Sequence, residues 1–233
     1  MSLHFKSEYM TNQNIILSRI LPFAIYILFL ALGDYLIALC GTIGVDVKWL
    51  YVVRILTVLT LLVFFWRSYT ELSIRPKLSQ LGYAAIAGVA VLLVWILPYP
   101  AWASLGDDVQ GFNPIENQDQ FTAFLWLSTR ILGAAMIVPV MEELFWRSFL
   151  MRWIDSKDFL TISPANVSLL AIIVSAVLFA LEHHLWLAGL FAGLVYGLLY
   201  KMYKNLWVPI FAHAVTNGLL GVWVVQTGNW RYW

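Results

Sequence analysis

The sequence predicts an all-α, polytopic transmembrane bundle of about seven or eight membrane-spanning helices, and three observations carry that prediction. Hydrophobic residues make up 61% of the 233-residue chain and charged residues only 12%, against about 45–50% and about 25% in soluble globular domains. Too little polar surface remains to face water, so the solvent is lipid. Several uninterrupted apolar runs reach the roughly 20 residues that a helix needs to cross the hydrocarbon core, and no ~10-residue alternating segments point to an outer-membrane barrel.

Apolar runs set between charge clusters give seven spans, at about 17–40, 48–66, 80–98, 121–152, 165–184, 186–203 and 207–226. The first run, from Ile15 to Cys40, is longer than a secretory signal core and lacks a small-x-small cleavage site, so it is expected to be a retained helix. Arg67, Arg75 and Lys77 follow the second span, Arg152 and Lys157 the fourth, and Lys201 and Lys204 the sixth. The positive-inside rule places these loops, and with them the N-terminus, in the cytoplasm. The 98–120 connection carries Asp107, Asp108, Glu116 and Asp119 without Lys or Arg, as expected of the outer side. The tail Trp230-Arg231-Tyr232-Trp233 could form an interfacial belt or begin an eighth helix.

Two spans carry further expectations. The fourth, at roughly 1.5 Å per residue, would extend about 48 Å, beyond a ~30 Å core, so it must tilt, protrude or break. Pro139 offers the break point, because its ring clashes with the carbonyl of Ala135 and removes one helical hydrogen bond. The sixth carries Gly189, Gly193 and Gly197 at i, i+4 and i+8, a smooth strip for close helix packing that would draw the fifth and seventh spans together. No repeat or linker divides the chain. A single integral membrane domain over 1–233 is expected, with variable N-terminal helices over about 1–120 and motif-bearing helices over about 121–226.

A net charge of +1 provides no basic stripe for nucleic acid. Cys40 is the only cysteine, which excludes an internal disulfide and any multi-cysteine metal centre.

Charged groups at bilayer depth cost roughly 2.5–3.5 kcal/mol each, so an intramembrane carboxylate points to function. Three clusters meet that test. In Glu142-Glu143-Leu144-Phe145-Trp146-Arg147, Glu143 and Arg147 are i, i+4 neighbours that favour an ion pair, while Glu142 points about 100° away and is left free. In the second cluster, Ser175, Phe179 and His183 follow at i+4 steps, with Glu182 expected at the headgroups and His184 diverging from its neighbour. The third places His213 and Asn217 on one face of the seventh span. Singly, each group could be kept as helix-to-helix glue. Together, an acid, two imidazoles and a carboxamide on three helices point to chemistry.

Hydrolysis of an amide needs an activated water, a stabilised oxyanion and a proton for the leaving amine. Glu142 could take the proton with His183 helping to hold the water, while His213 and Asn217 donate to the oxyanion. Alternatively, Glu142, His183 and His213 could hold one divalent metal ion such as zinc, as a metalloprotease would. A serine nucleophile is disfavoured, because Ser175 lies two turns from His183 on the same helix and no G-x-S-x-G elbow exists.

These motifs resemble those of the CAAX protease and bacteriocin-processing family of intramembrane endopeptidases. The Glu-Glu-x-x-x-Arg signature is Glu142, Glu143 and Arg147, the Phe-x-x-x-His signature is Phe179 and His183, and the His-x-x-x-Asn signature is His213 and Asn217. Their order and spacing agree over roughly residues 121–220. The resemblance implies Glu142 as catalytic base with His183, His213 and Asn217 completing the site, and Glu143, Arg147 and Phe179 in support. It also implies a membrane-associated protein or peptide as substrate and a bacterial inner (cell) membrane location. The Val-Pro-Val-Met-Glu-Glu segment and the tryptophan-rich tail are similar to members associated with exosortase-type sorting. The main alternative is a non-catalytic scaffold or self-immunity protein of the same fold. A b-type haem protein using His183 and His213, and a transporter relaying protons through Glu142, rank far behind.

Overall fold

The structure is a computed structural model that describes residues 12–106, 111, 113, 115, 116 and 118–232. Apart from short single-turn helices, the chain runs through α1 (Asn12–Ala31), α2 (Gly33–Ile43), α3 (Lys48–Phe64) and α4 (Leu78–Trp95). It continues through α5 (Gln120–Asp155), α6 (Leu169–Ala180), α7 (Trp186–Tyr203) and α8 (Trp207–Thr227). No strand occurs among the described residues, and the all-α class holds. The periphery leaves Phe64, Leu78 and Phe121 exposed by 77%, 85% and 71%, as suits a lipid-facing surface rather than a watery one.

Five helices, α1, α4, α5, α7 and α8, are long and apolar enough to cross a membrane. Two predicted spans are reshaped. The first divides at Leu32 into α1 and the 11-residue α2. The fifth starts at Leu169, because the Ser168 hydroxyl caps it by accepting from Ala171 N–H at 3.0 Å, and is itself held by Asp155 at 2.7 Å. Hydropathy runs on through such caps and turns without registering them. In the tail, Trp230–Tyr232 forms a single turn packed on Leu92 and Leu220. Trp233, Asp107 and Asp108 lie outside the described residues.

Helix ends sort onto two faces. On one, Arg19 at the start of α1 binds Glu71 in the α3–α4 connection through Nε at 2.9 Å and Nη2 at 2.6 Å. Ser148 also donates to Glu71, and Arg152 of α5 lies 3.6 Å from the same carboxylate. Lys201 at the end of α7 donates to the Ala165 and Val167 carbonyls before α6. On the opposite face, the turn after α6 meets the loop after α4: Leu105 N–H donates to His184 O at 2.7 Å and Trp186 Nε1 to Trp102 O at 3.1 Å. This is the alternation of ends that the charge pattern predicted.

The 36-residue α5 does not break at Pro139. It passes instead through two wide, π-type stretches, Gly133–Ile137 and Leu144–Leu150, on either side of Val138–Glu143. In the first, Val138 N–H reaches Gly133 O, five residues back. The next N–H in that register belongs to residue 139, a proline, so the Ala134 carbonyl is left without a helical partner. The π turn relieves the ring clash without interrupting the helix, and it frees one carbonyl inside the bundle.

The glycine strip of α7 packs against α6. A Cβ at Gly193 would come within 2.9 Å of Ala176 Cα, and one at Gly189 within 3.1 Å of Ala180 Cα. α8 is drawn in by a different glycine: a Cβ at Gly88 of α4 would meet Ala212 O at 2.4 Å. Thr216 Oγ1 donates to Gly88 O at 2.9 Å across the same contact.

Candidate active site

α5, α6 and α8 each present one motif to a common cavity of about 400 Å³. Glu142, His183, His213 and Asn217 all line it. Glu142 on α5 and His183 in the turn after α6 line this cavity together, and α6 itself is short. Its 12 residues rise only about 18 Å, short of a ~30 Å core, so the turn that carries His183 lies within the bundle beneath the 101–105 loop.

Glu142 is 7% exposed, and its Oε2 has no hydrogen-bond partner among the described residues. His213 Nε2 lies 3.9 Å from this oxygen. Glu143 is fully buried and spans two partners: Oε2 lies 3.2 Å from Arg147 Nε, and Oε1 accepts from His213 Nδ1 at 3.0 Å. The i, i+4 pair is therefore as predicted, with the added result that it orients a histidine on another helix. Arg147 in turn lies 4.5 Å from the Phe179 ring centre and 5.4 Å from that of Tyr196. Tyr196 stacks on His213 at 4.9 Å, with its hydroxyl tied to Thr216 at 2.8 Å.

The ring nitrogens can be assigned from these partners. His183 Nδ1 lies 2.8 Å from Phe179 O, which only accepts, so Nδ1 carries the proton and Nε2 offers a lone pair. His213 Nδ1 donates to a carboxylate, which leaves Nε2 directed towards Glu142. Asn217 Nδ2 donates to Ala134 O at 3.0 Å, the carbonyl freed by Pro139. An amide nitrogen has two hydrogens, and the other remains for a ligand.

Among the described residues, no three His, Cys, Asp or Glu side chains converge as ligands for one ion. Glu142, His183 and His213 share the cavity without forming a three-ligand centre. Ser175, weighed as a nucleophile, donates to Trp146 O at 3.2 Å. Glu182 is exposed, as expected from the sequence.

Tyr196, Arg54 and Arg130 line the cavity but belong to none of the three motifs. Tyr196 stacks on His213, and the two arginines come from α3 and α5. Both arginines lie in predicted spans, so an ionisable group at bilayer depth was the available signal.

A buried carboxylate, two histidines and a carboxamide thus line one cavity of an all-helical protein with five helices long and apolar enough to cross a membrane. Residues 124–219 match the family model of the Type II CAAX prenyl endopeptidase, Rce1-like. This stretch is similar to that family, whose name describes an endopeptidase. No curated protein and no solved structure matches the chain.

Proposed function

We propose that the protein hydrolyses a peptide bond of a membrane-associated protein or peptide, with Glu142 as the general base. The observation that carries this reading is the unpartnered, buried Glu142 Oε2 in a cavity shared with His183, His213 and Asn217. Water held between the Glu142 carboxylate and the His183 Nε2 lone pair attacks the carbonyl carbon as Glu142 takes its proton. The resulting oxyanion accepts hydrogen bonds from the second Asn217 N–H and from His213 Nε2–H. Donation from Nε2 while Nδ1 donates to Glu143 requires His213 as the imidazolium, which the Glu143 carboxylate stabilises. Glu142 then passes the proton to the leaving nitrogen as the C–N bond breaks, which yields a carboxylic acid and an amine. By the positive-inside rule, the face that carries Arg19, Arg152 and Lys201 is cytoplasmic, and the protein belongs in a bacterial inner membrane.

The test is cleavage, in proteoliposomes, of a peptide library tethered near the bilayer. Wild type is compared with Glu142→Ala and His213→Ala, each with and without a chelator. The expected result is cleavage by wild type that is insensitive to chelator and falls by about 10²–10⁴ in either variant. Equal cleavage by all three would remove the assigned site, and loss of wild-type cleavage on chelation would replace carboxylate activation with metal chemistry.

A further inference from the structure

The three motifs sit on α5, on α6 with the turn that follows it, and on α8, and α7 carries none of them. α7 nevertheless places a side chain against the site. Its glycine strip lets it close on α6, and Arg147 of α5 reaches across to donate to Gly193 O at 3.4 Å. Three residues on, Tyr196 is 1% exposed and lines the cavity. Its ring lies 4.9 Å from the His213 ring, centre to centre, and within 21° of parallel. The Tyr196 hydroxyl donates to Thr216 Oγ1 at 2.8 Å. Thr216 stands about one turn beyond His213 on α8, and its own hydroxyl faces Gly88 O of α4 at 2.9 Å and Ala212 O at 3.1 Å. Tyr196 is therefore held at both ends, by its backbone on α7 and by its hydroxyl on α8, and a satisfied buried network of this kind is rigid.

The bond from Glu143 fixes one atom of the His213 ring, Nδ1. A hydrogen bond tolerates misalignment of some tens of degrees, and the last torsion of a histidine is broad, so this bond alone sets the ring plane loosely. Two further rings restrict it. Tilting towards Tyr196 closes a contact already at stacking distance, and Phe179 meets the imidazole edge-on, at 6.2 Å and 80°. We infer that Tyr196 is a positioning residue of the reaction, holding the plane of the His213 ring so that Nε2 points at the substrate carbonyl while Glu143 holds Nδ1. This inference rests on the endopeptidase reading, in which His213 donates to the oxyanion from Nε2, and it adds α7 to the helices that build the site. The tyrosine face also attracts the imidazolium which that reading requires, a contribution that phenylalanine keeps and leucine loses.

The test compares Tyr196→Leu and Tyr196→Phe with wild type in the proteoliposome cleavage assay, each alone and in a His213→Ala background. Leu removes the stacked face and should lower kcat by about 10–10², the cost of a misplacement of up to ~1 Å at a reacting group. KM should change little, because the residue acts on His213 and not on the bound chain. Phe restores the ring without the hydroxyl and should recover most of what Leu loses. Groups that act as a unit are not additive, so Leu should cost nothing further once His213 is Ala. Four results would overturn the inference. Leu with wild-type kcat would leave Tyr196 no role, and a raised KM at unchanged kcat would make it a substrate contact. An equal loss with and without His213 would reduce it to packing, and a Phe variant as slow as Leu would transfer the role to the hydroxyl.

Ring orientation is read independently of cleavage by NMR of the full chain in detergent micelles, with histidine and tyrosine labelled with carbon-13. Wild type should show cross-relaxation between the Tyr196 and His213 ring protons, a measurement that needs no variant to fold. It should also show one narrow His213 ring signal, which Phe keeps and Leu broadens or splits. Absence of the wild-type ring-to-ring signal would overturn the inference whatever the variants do. Wild type that cleaves no peptide would remove the endopeptidase reading, while loss of the narrow signal in Leu would still assign Tyr196 to holding His213. Cleavage that Leu leaves untouched would do the reverse, keeping the protease and removing the positioning role.

Discussion

His213 Nδ1 lies 3.0 Å from Glu143 Oε1, a contact between side chains 70 residues apart that sets which face of the imidazole looks into the cavity. The other oxygen of the same carboxylate holds Arg147. Replacing Glu143 with Gln therefore has two effects. The amide presents an N–H donor to one of its two donor partners, and a buried guanidinium loses its counter-charge, which costs about 3–5 kcal/mol. We expect a clear fall in Tm, and, below that temperature, a loss of about 10² in kcat from a misplaced His213 with KM little changed. Unchanged kcat would mean that His213 needs no orientation.

Glu142→Gln should behave differently. Glu142 Oε2 makes no hydrogen bond in the resting protein, so its neutral isostere gives up only the 3.9 Å approach of His213 Nε2 and removes a buried charge. Thermal unfolding in detergent should show stability equal to or above wild type, while cleavage falls by about 10²–10⁴. A variant that is both inactive and destabilised would make Glu142 a structural residue.

Asn217 and Pro139 should be coupled through the Ala134 carbonyl. Asn217→Ala leaves that carbonyl buried and unsatisfied, at about 1–3 kcal/mol. Pro139→Ala supplies the missing backbone N–H, so the penalty of Asn217→Ala should shrink in the double variant. A double-mutant cycle on stability should give a coupling of about 1 kcal/mol, and additivity within about 0.3–0.5 kcal/mol would refute the link.

This carbonyl marks where the sequence stops being informative. Glu142, His183, His213 and Asn217 were legible because each is a polar group where lipid is the solvent, and the Glu143–Arg147 pair because i, i+4 spacing is local. The bond from Glu143 to His213 was not, since nothing local couples residues on α5 and α8. Pro139 announced a disturbance, but hydropathy does not encode hydrogen-bond register, so a break was expected where the helix takes π turns. The length of α6 was hidden in the same way, because Ser168 caps it in the middle of an apolar run. Arg54 and Arg130 met the criterion that found Glu142, yet they belong to no motif.

Two glycines on one helix offer an internal control on packing. At Gly88 a Cβ would sit 2.4 Å from Ala212 O and 2.9 Å from Val215 Cβ, whereas at Gly82 it would meet nothing within 4 Å. Gly88→Ala must push α4 and α8 apart, at about 1–3 kcal/mol, and should lower cleavage by moving His213. Gly82→Ala lies in the same helix without that neighbour and should be neutral or stabilising by up to about 1 kcal/mol. Similar Tm values for the two would mean that α4 and α8 do not approach this closely.

The Glu71 cluster sets an acid limit on stability. Burial opposes ionisation of this carboxyl, but the hydrogen bonds and charge of Arg19, together with the Ser148 hydroxyl, outweigh it and hold it below its ordinary value of 4.5. A carboxyl with a depressed value in the folded state binds its proton more readily when unfolded. Its stabilisation is thus complete above about pH 4.5 and is lost as pH falls through the folded value. Glu71→Gln should lower stability at neutral pH, because Arg19 and Arg152 lose their buried counter-charge. It should also flatten the dependence of Tm on pH below 4.5 relative to wild type. Thermal unfolding of both proteins from pH 7 down to pH 3 checks this: parallel curves would assign the acid sensitivity to another group, and converging curves would assign it to the carboxylate that ties α1 to α5.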